Sequence, residues 1–388
     1  MLKFTIPLTK FKCYTFLDSY MRITYVTNAR LPTEKAHGLQ IMKTCEKLAA
    51  LGTGIELISP RRRNFLHEDP FIYYAIKNKF PLRRIWTLDL IRFGRFGFLI
   101  QEITFAIATA SFLRSFKGII YCRDEVVLAI LILLGQTKVL WESHDGAWNA
   151  AARFVARRAR AIVVVSRGLR DWYVKQGVPA EKITVIPNAI DTEAFAKAEK
   201  REDARKRLSL FPDAKIAMYI GQLDGWKGTD TLFEASRYID PGIQIAVIGG
   251  AANRIKELSK KYPGILFLGQ RPVRELPHNQ MAADVLVVPN TAKSEISLRF
   301  TSPLKLLAHM ASGVPIVASD LPSIREIASP DEVLLVPADD PRALGVGISS
   351  IFENSVVAKR RAERAKEKSH QFSWESRAKS IHDVISPI

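Results

Sequence analysis

The chain has 388 residues, 47% of them hydrophobic and 25% charged, and a formal net charge of +18. Enough apolar surface is available to offset chain entropy, which excludes dominant disorder. Cys13, Cys45 and Cys122 are too few and too widely spaced for a disulfide scaffold, and read as buried free thiols of a reducing compartment. The length suggests two or three domains, at roughly 150 residues each.

The opening stretch, residues 1–20, carries Lys3, Lys10 and Lys12 among its apolar residues and lacks the continuous apolar core of a secretory signal. The longest apolar run, Val126 to Leu134, is half of the ~18 residues needed to span a bilayer. From Met21 onward strands and helices alternate. Arg22–Thr27 is an apolar strand. Residues 36–51 place Leu39, Met42, Cys45, Leu48 and Ala49 at helical spacing before Gly52. Ile55–Ser59, Ile119–Cys122, Val139–Glu142, Ala161–Ser166 and Ile183–Ile186 follow as strands. Several are continuously apolar, as expected of a parallel sheet buried on both faces. The pattern breaks at Pro187-Asn188-Ala189-Ile190-Asp191. A second series then runs through Ile216–Ile220, Ile243–Ile248, Ile265–Leu268, Val285–Val288, Pro315–Ala318 and Val333–Val336. Residues 340–370 are helical and charged. Two such series imply an α/β protein of two facing Rossmann-like domains, with ligands in the cleft beyond the carboxyl ends of the strands.

The charge is uneven. Residues 1–190 hold 29 Lys and Arg against 14 Asp and Glu; the remaining 198 hold 28 against 25. The first half therefore points to an anionic partner. Its most basic part, Arg61 to Arg95, interleaves Arg61, Arg62, Arg63, Lys77, Lys79, Arg83, Arg84, Arg92 and Arg95 with Phe65, Phe71, Tyr73, Tyr74, Phe80, Trp86, Phe93, Phe96 and Phe98. An anionic membrane surface suits this pattern best. A solvated basic face over buried aromatics is the plainer alternative, and single-stranded nucleic acid the least favoured.

Two segments could hold phosphate. In residues 296–319, Ser302 is placed as an N-cap and Pro303 at the first helical position, with Gly313 closing the helix. The free first-turn amides and Lys305 could bind an anion there; a well-capped core helix with a surface lysine is the plainer reading. In Gly221-Gln222-Leu223-Asp224-Gly225-Trp226-Lys227-Gly228, Gly221 permits close approach of a ligand. Lys227 stands at a helix start, where a cation opposes the helix dipole unless an anion is bound. Neither G-x-G-x-x-G, a Walker A sequence nor a D-x-D tripeptide occurs, and the scattered histidines propose no metal site.

The order G-x-L-x-x-x-K-G, a strand ending in Gly249-Gly250, A-D-V-L-V-V-P, S-P-x-K-L and M-A-S-G-V-P-I-V-A-S resembles the C-terminal half of GT-B-fold group 1 retaining glycosyltransferases. Residues 185–191 resemble the interdomain signature of that family, and Phe372-Ser373-Trp374 its last helix. The resemblance implies an N-terminal acceptor-side domain at 21–190 and a donor-binding domain at 191–370. A helix over 371–388 would cross back, and residues 1–20 would be an extension with no assigned role. It implies transfer of a hexosyl unit from a nucleotide diphosphate sugar to a hydroxyl acceptor with retention, and requires no metal or cofactor. The basic first domain adds a lipid-linked acceptor of cell-surface polysaccharide or glycolipid synthesis, at the cytoplasmic face of a membrane.

By position, Lys227 would contact the donor diphosphate, beside Gly221 and Gln222. Thr301, Ser302, Pro303 and the first-turn amides would hold its phosphates, with Lys305 assisting. Gly269 to Val273 would border the base. Gly38 would face the diphosphate across the cleft or serve as a small residue of a first helix turn. In Trp141-Glu142-Ser143-His144-Asp145-Gly146, His144 would sit over the donor sugar and Glu142 would be a satisfied structural carboxylate. Asp145 would orient His144 or cap the next helix. Arg123 and Asp124 read as a local ion pair. The pattern departs from the family at Gln222, where Arg is common, and at Ala308, where a ribose-binding Glu is usual. The other acid of the E-x7-E pair falls at Phe300. His309 stands where Tyr is frequent, either as packing or as a replacement polar contact. These departures motivate a second reading, a GT-B protein that binds a membrane, glycan or partner without turnover. A sugar-nucleotide epimerase is a third.

Overall fold

The computed structural model describes residues 21–223 and 225–387. The extension at 1–20, with Cys13, and Asp224 of the Lys227 loop lie outside the described residues.

The first sheet joins β1 (Arg22–Val26), β2 (Gly54–Arg61), β3 (Leu82–Trp86), β4 (Ile119–Cys122), β5 (Val139–Ser143), β6 (Ala161–Val164) and β7 (Ile183–Val185). They lie in the order β3-β2-β1-β4-β5-β6-β7, all parallel. The second joins β8 (Lys215–Ile220), β9 (Ile243–Ile248), β10 (Leu266–Phe267), β11 (Val285–Val288), β12 (Ile316–Ser319) and β13 (Leu334–Val336), in the parallel order β10-β9-β8-β11-β12-β13. Both are Rossmann-like. The central strands β4, β5 and β11 are buried at every residue, because helices cover both faces. Four apolar clusters result, two on each sheet.

The sequence reading contains no counterpart of β3. Leu-Arg-Arg-Ile-Trp lacks strict alternation and, among the described residues, has only one neighbouring strand, β2. As an edge strand it carries arginines that discourage pairing with another chain. Of the aromatics in this region, Tyr74 and Phe80 belong to the core, whereas Phe65, Trp86, Phe93, Phe96 and Phe98 are exposed. Cys45 and Cys122 are buried free thiols.

The first domain borrows core from later parts of the chain. The helix Trp374–Ile385 lays Ala378, Ile381 and Ile385 into the first domain's core. Phe300, from the second domain, joins the other cluster of the first. It seats against Gly146 and 5.8 Å from the Trp172 ring. Around it Ser166 Oγ donates to the Arg299 carbonyl at 2.9 Å, and the Arg167 amide donates to Glu326 Oε1 at 2.6 Å. The segment Pro187–Asp191 links the sheets. Its Asn188 amide donates to Ser302 Oγ, the Ala189 carbonyl accepts from Gln40 Nε2, and the Ile190 amide donates to the Phe372 carbonyl.

Candidate active site at the interdomain cleft

On the second domain, glycines make a floor at the carboxyl ends of β8, β9 and β10. A β-carbon on Gly249 would lie 2.1 Å from the Gly221 carbonyl oxygen, and one on Gly221 only 3.1 Å from Lys305 Nζ. Side chains are therefore excluded where Lys305 reaches across. Gly269 adopts φ 75° with open space around it and leads an exposed loop to Val273. Gly228 adopts φ 68°, and a β-carbon there would collide with the Pro289 carbonyl, so the Lys227 loop is pinned against β11. The helix after it is Thr229–Ala235. Lys227 closes the short turn Gly225–Lys227, its Nζ 3.3 Å from the centroid of the Trp226 ring. The Gln222 side chain is exposed, and its carbonyl accepts from the Tyr219 hydroxyl.

The helix Leu304–Ser312 ends at Gly313 in the left-handed region, as its sequence implies, but its start differs. Pro303, not Ser302, is the N-cap, and no side chain caps the first turn. Ser302 Oγ instead accepts from the Asn188 amide at 3.0 Å, and the Ser302 carbonyl accepts from Asn188 Nδ2 at 2.9 Å. Ser302 therefore anchors the hinge, because a buried hydroxyl beside an unpaired amide satisfies that amide first. Thr301 donates its amide to the Ile296 carbonyl.

Lys305 and His309 share one face of this helix, four residues apart. Lys305 Nζ is buried 3.6 Å from the centroid of the Tyr219 ring. It has no hydrogen-bond partner among the described residues, and neither do the two ring nitrogens of His309. Burial, and after it the charge of Lys227, holds the Lys305 ammonium well below its usual range. Burial, and then Lys305, does the same to the His309 imidazole. Buried polar groups are nearly always paired, and three orphaned atoms on one helix face mark a place built around something else. His309 is thus buried like an aromatic yet retains two unused polar atoms. Ala308 lies in the core, and Phe300 in the facing domain, so neither position offers a carboxylate.

On the first domain a cavity of about 630 Å³ opens at the carboxyl ends of β1, β2, β4 and β5. Asn28, His37, Arg62, Arg123, Glu142 and His144 are among its walls. His144 Nε2 lies 2.6 Å from Glu142 Oε1. Burial, and then the Arg123 guanidinium, push the His144 imidazole down to about 4. Burial lowers His37 to about 4 as well, again with Arg123 next. Both are neutral at pH 7.

Three assignments change here. Asp145 neither orients His144 nor caps a helix: its Oδ1 accepts from the Ala147 amide, and Asn149 caps Ala150–Arg158. Glu142 takes the orienting role. Asp124 accepts from the Asn28 amide at 2.7 Å and feels the Arg123 charge without a direct salt bridge between them. Gly38 lies inside the helix Ala36–Ala50, where a β-carbon would sit 2.1 Å from the Tyr74 hydroxyl. Gly38 is the third residue of that helix, and the packing fits its reading as a small residue of the first helix turn. Arg377, which donates to Glu142, was not legible as a site residue; nothing in a charged C-terminal helix marks one arginine as buried.

Two family models match this chain: Glycosyltransferase Family 4 over residues 39–194 and Glycosyl transferases group 1 over residues 214–354. The chain belongs to the group 1 glycosyltransferases. Among its relatives, the D-inositol 3-phosphate glycosyltransferase of Corynebacterium urealyticum is 28% identical over 243 residues, 58% of this chain and 56% of that protein. The phosphatidyl-myo-inositol mannosyltransferase of Mycobacterium tuberculosis is 28% identical over 215 residues, 52% and 53% of the two chains. The chain thus spans about half the length of the curated relatives it matches. The crystal structure of Anabaena Alr3699/HepE in complex with UDP-glucose superposes with a TM-score of 0.76, covering 95% of this chain and 100% of that one at 16% identity. That likeness shows the fold, a GT-B pair of Rossmann-like domains.

Proposed function

We propose that this group 1 glycosyltransferase moves a hexosyl unit from a nucleoside diphosphate sugar to a hydroxyl acceptor, with retention of configuration. The observation that carries the reading is the orphaned set of Lys305 Nζ, His309 Nδ1 and His309 Nε2, beside Lys227 and an uncapped helix start. A diphosphate would supply the missing counter-charge. A nucleotide-sugar donor agrees with the UDP-glucose bound by the Anabaena structure.

In the proposed reaction the bond from the anomeric carbon to the diphosphate oxygen breaks. A bond from that carbon to the acceptor oxygen forms on the same face. The departing phosphate takes the acceptor proton, so no pair of carboxylates of the glycosidase kind is needed. Lys227, Lys305 and the amides of the Leu304–Ser312 helix stabilise charge developing on the diphosphate. Neutral His144 accepts a hydrogen bond from a sugar hydroxyl through Nδ1. The acceptor occupies the cavity of the first domain.

The acceptor is proposed to be lipid-linked, with the first domain resting on an anionic membrane at its cytoplasmic face. Among the described residues no helix is long and apolar enough to cross a membrane. One face of the helix Gly94–Phe112, however, exposes Phe96, Leu99, Ile103 and Ile107 at helical spacing. Exposed Phe93, with Arg92 stacked over its ring, precedes this helix, Arg95 stands in its first turn, and Arg83 stacks over Phe112 at its end. Apolar side chains flanked by cations suit an interface of anionic lipid. The phosphatidylinositol named for the mycobacterial relative is an acceptor of this class.

The second reading is binding without turnover, favoured by the loss of both carboxylates at Phe300 and Ala308. A thermal-shift series with UDP, GDP, ADP, dTDP and their sugar conjugates tests both. A ligand at 100 times its Kd adds about 2.7 kcal/mol. The expected result is a selective shift that Lys227→Ala weakens about 10–100-fold in affinity, the loss of one charge-assisted contact. No shift at millimolar nucleotide would count against the transferase and put the binding protein first.

A further inference from the structure

Glu142, at the end of β5, is sealed from solvent, its side chain 2% exposed. Four donors surround it. Oε1 accepts from Arg377 Nη2 at 2.5 Å and from His144 Nε2 at 2.6 Å. Oε2 accepts from the Tyr25 hydroxyl at 3.3 Å and from the Tyr121 hydroxyl. Burial would raise this carboxyl, but Arg377 above all, then His144, hold it well below the usual carboxylate range.

The guanidinium is itself fixed. Arg377 stands on the Trp374–Ile385 helix that crosses back onto the first domain. Its Nη1 donates to the carbonyls of Ile186 at 2.8 Å and Pro187 at 2.6 Å, where the chain leaves the first sheet. With Nη1 anchored on two backbone carbonyls, the planar fork aims Nη2 at Glu142 alone. An ionised carboxylate only accepts, so the imidazole nitrogen facing it must carry the proton. His144 therefore holds hydrogen on Nε2 and the lone pair on Nδ1, the nitrogen assigned above to a sugar hydroxyl.

We propose that Arg377 and Glu142 are positioning residues for His144: Arg377 anchors the Glu142 carboxylate, and Glu142 locks His144 in the Nε2–H tautomer with Nδ1 free to accept. The functional consequence rests on the reading of His144 as a donor-sugar contact; the tautomer itself does not.

The test is two-bond ¹H–¹⁵N spectroscopy of the full chain labelled at histidine, at pH 7, with His144→Gln to assign the signals. The wild type is expected to show His144 as a single Nε2–H tautomer. Arg377→Met should release it into a mixture of both tautomers, and Arg377→Lys should restore part of the Nε2–H population. If Arg377→Met does not fold, the double variant Arg377→Met, Glu142→Gln removes both charges of the pair, so that neither partner is left as an uncompensated ion. It should show the same mixture. A wild-type Nδ1–H tautomer overturns the proposal. So does a pure Nε2–H tautomer in a folded variant without Arg377. Turnover of the donor found in the nucleotide screen gives the second readout. A folded variant without Arg377 should lose up to about 100-fold in kcat with donor KM nearly unchanged, as for a misplaced contact. Unchanged kcat would overturn the positioning role. A wild type without any turnover would refute the transferase reading, and the spectra would still decide the tautomer lock.

Discussion

Burial and the neighbouring charge of Lys227 both favour the neutral amine at Lys305 while the site is empty. An arriving diphosphate reverses that balance, because an adjacent anion stabilises the ammonium. Binding should therefore take up a proton, and affinity should fall as pH rises, by at most about tenfold per pH unit. Calorimetry in buffers of different ionisation enthalpy should show proton uptake on binding of a nucleoside diphosphate. The uptake should vanish in Lys305→Met. Equal uptake in both chains would mean that Lys305 does not touch the ligand. The sequence placed Lys305 on the right helix but could not distinguish a surface lysine from a buried one. That distinction depends on Tyr219, which projects from another strand beneath it.

Two elements that the sequence pattern did not assign, β3 and the helix Gly94–Phe112, are neighbours in the first domain. β3 has one hydrogen-bonded neighbour and exposed arginines, so it lacks the continuous apolar run by which β4 and β5 are recognised. The helix Gly94–Phe112 is apolar nearly all round, and periodicity alone cannot say which of its faces is covered. The structure buries Gly97, Gln101, Phe105 and Thr109 and leaves Phe96, Leu99, Ile103 and Ile107 outside. If that face meets a membrane, the chain should co-sediment with vesicles containing anionic phosphatidylglycerol and be released by salt, at about 1 kcal/mol per engaged basic residue. The double variant Phe96→Glu, Ile103→Glu should lose vesicle binding with little change in melting temperature, because both side chains are already exposed. Equal sedimentation of variant and wild type would refute the membrane face.

Across the whole molecule, burial keeps His37, His144 and His309 neutral, with pKa values of about 4 for the first two and the third well below its usual range. In the unfolded chain each titrates near 6.5. Between pH ~6.5 and ~4 the unfolded state therefore binds more protons than the folded one, so stability falls on acidification. His37 and His144 should each contribute up to about 1.4 kcal/mol per pH unit in that window, partly offset by Glu102, whose carboxyl burial raises to about 7. Urea unfolding at pH 7, 6 and 5 should show the decline, and His144→Gln should remove one imidazole's share. A flat profile would show that these histidines titrate in the native state as they do in the unfolded chain. Glu142, also depressed, adds its loss only at lower pH, as its own carboxyl range is entered.

The sequence by itself determined the alternation of strands and helices, the two parallel sheets, the break at Pro187–Asp191, and the glycines and lysines of the second domain. These are local properties: apolar runs set by burial on both faces, turns set by glycine, and motifs contiguous along the chain. Tertiary structure decided what each polar group meets. Ser302 pairs with Asn188, 114 residues away. Gly38 makes room for Tyr74. Asp145 gives up its expected partner to Glu142, and Glu142 is held by Arg377, 235 residues along the chain. A buried donor or acceptor is satisfied by whichever group the fold brings within about 3 Å, and no periodicity in the chain encodes that neighbour.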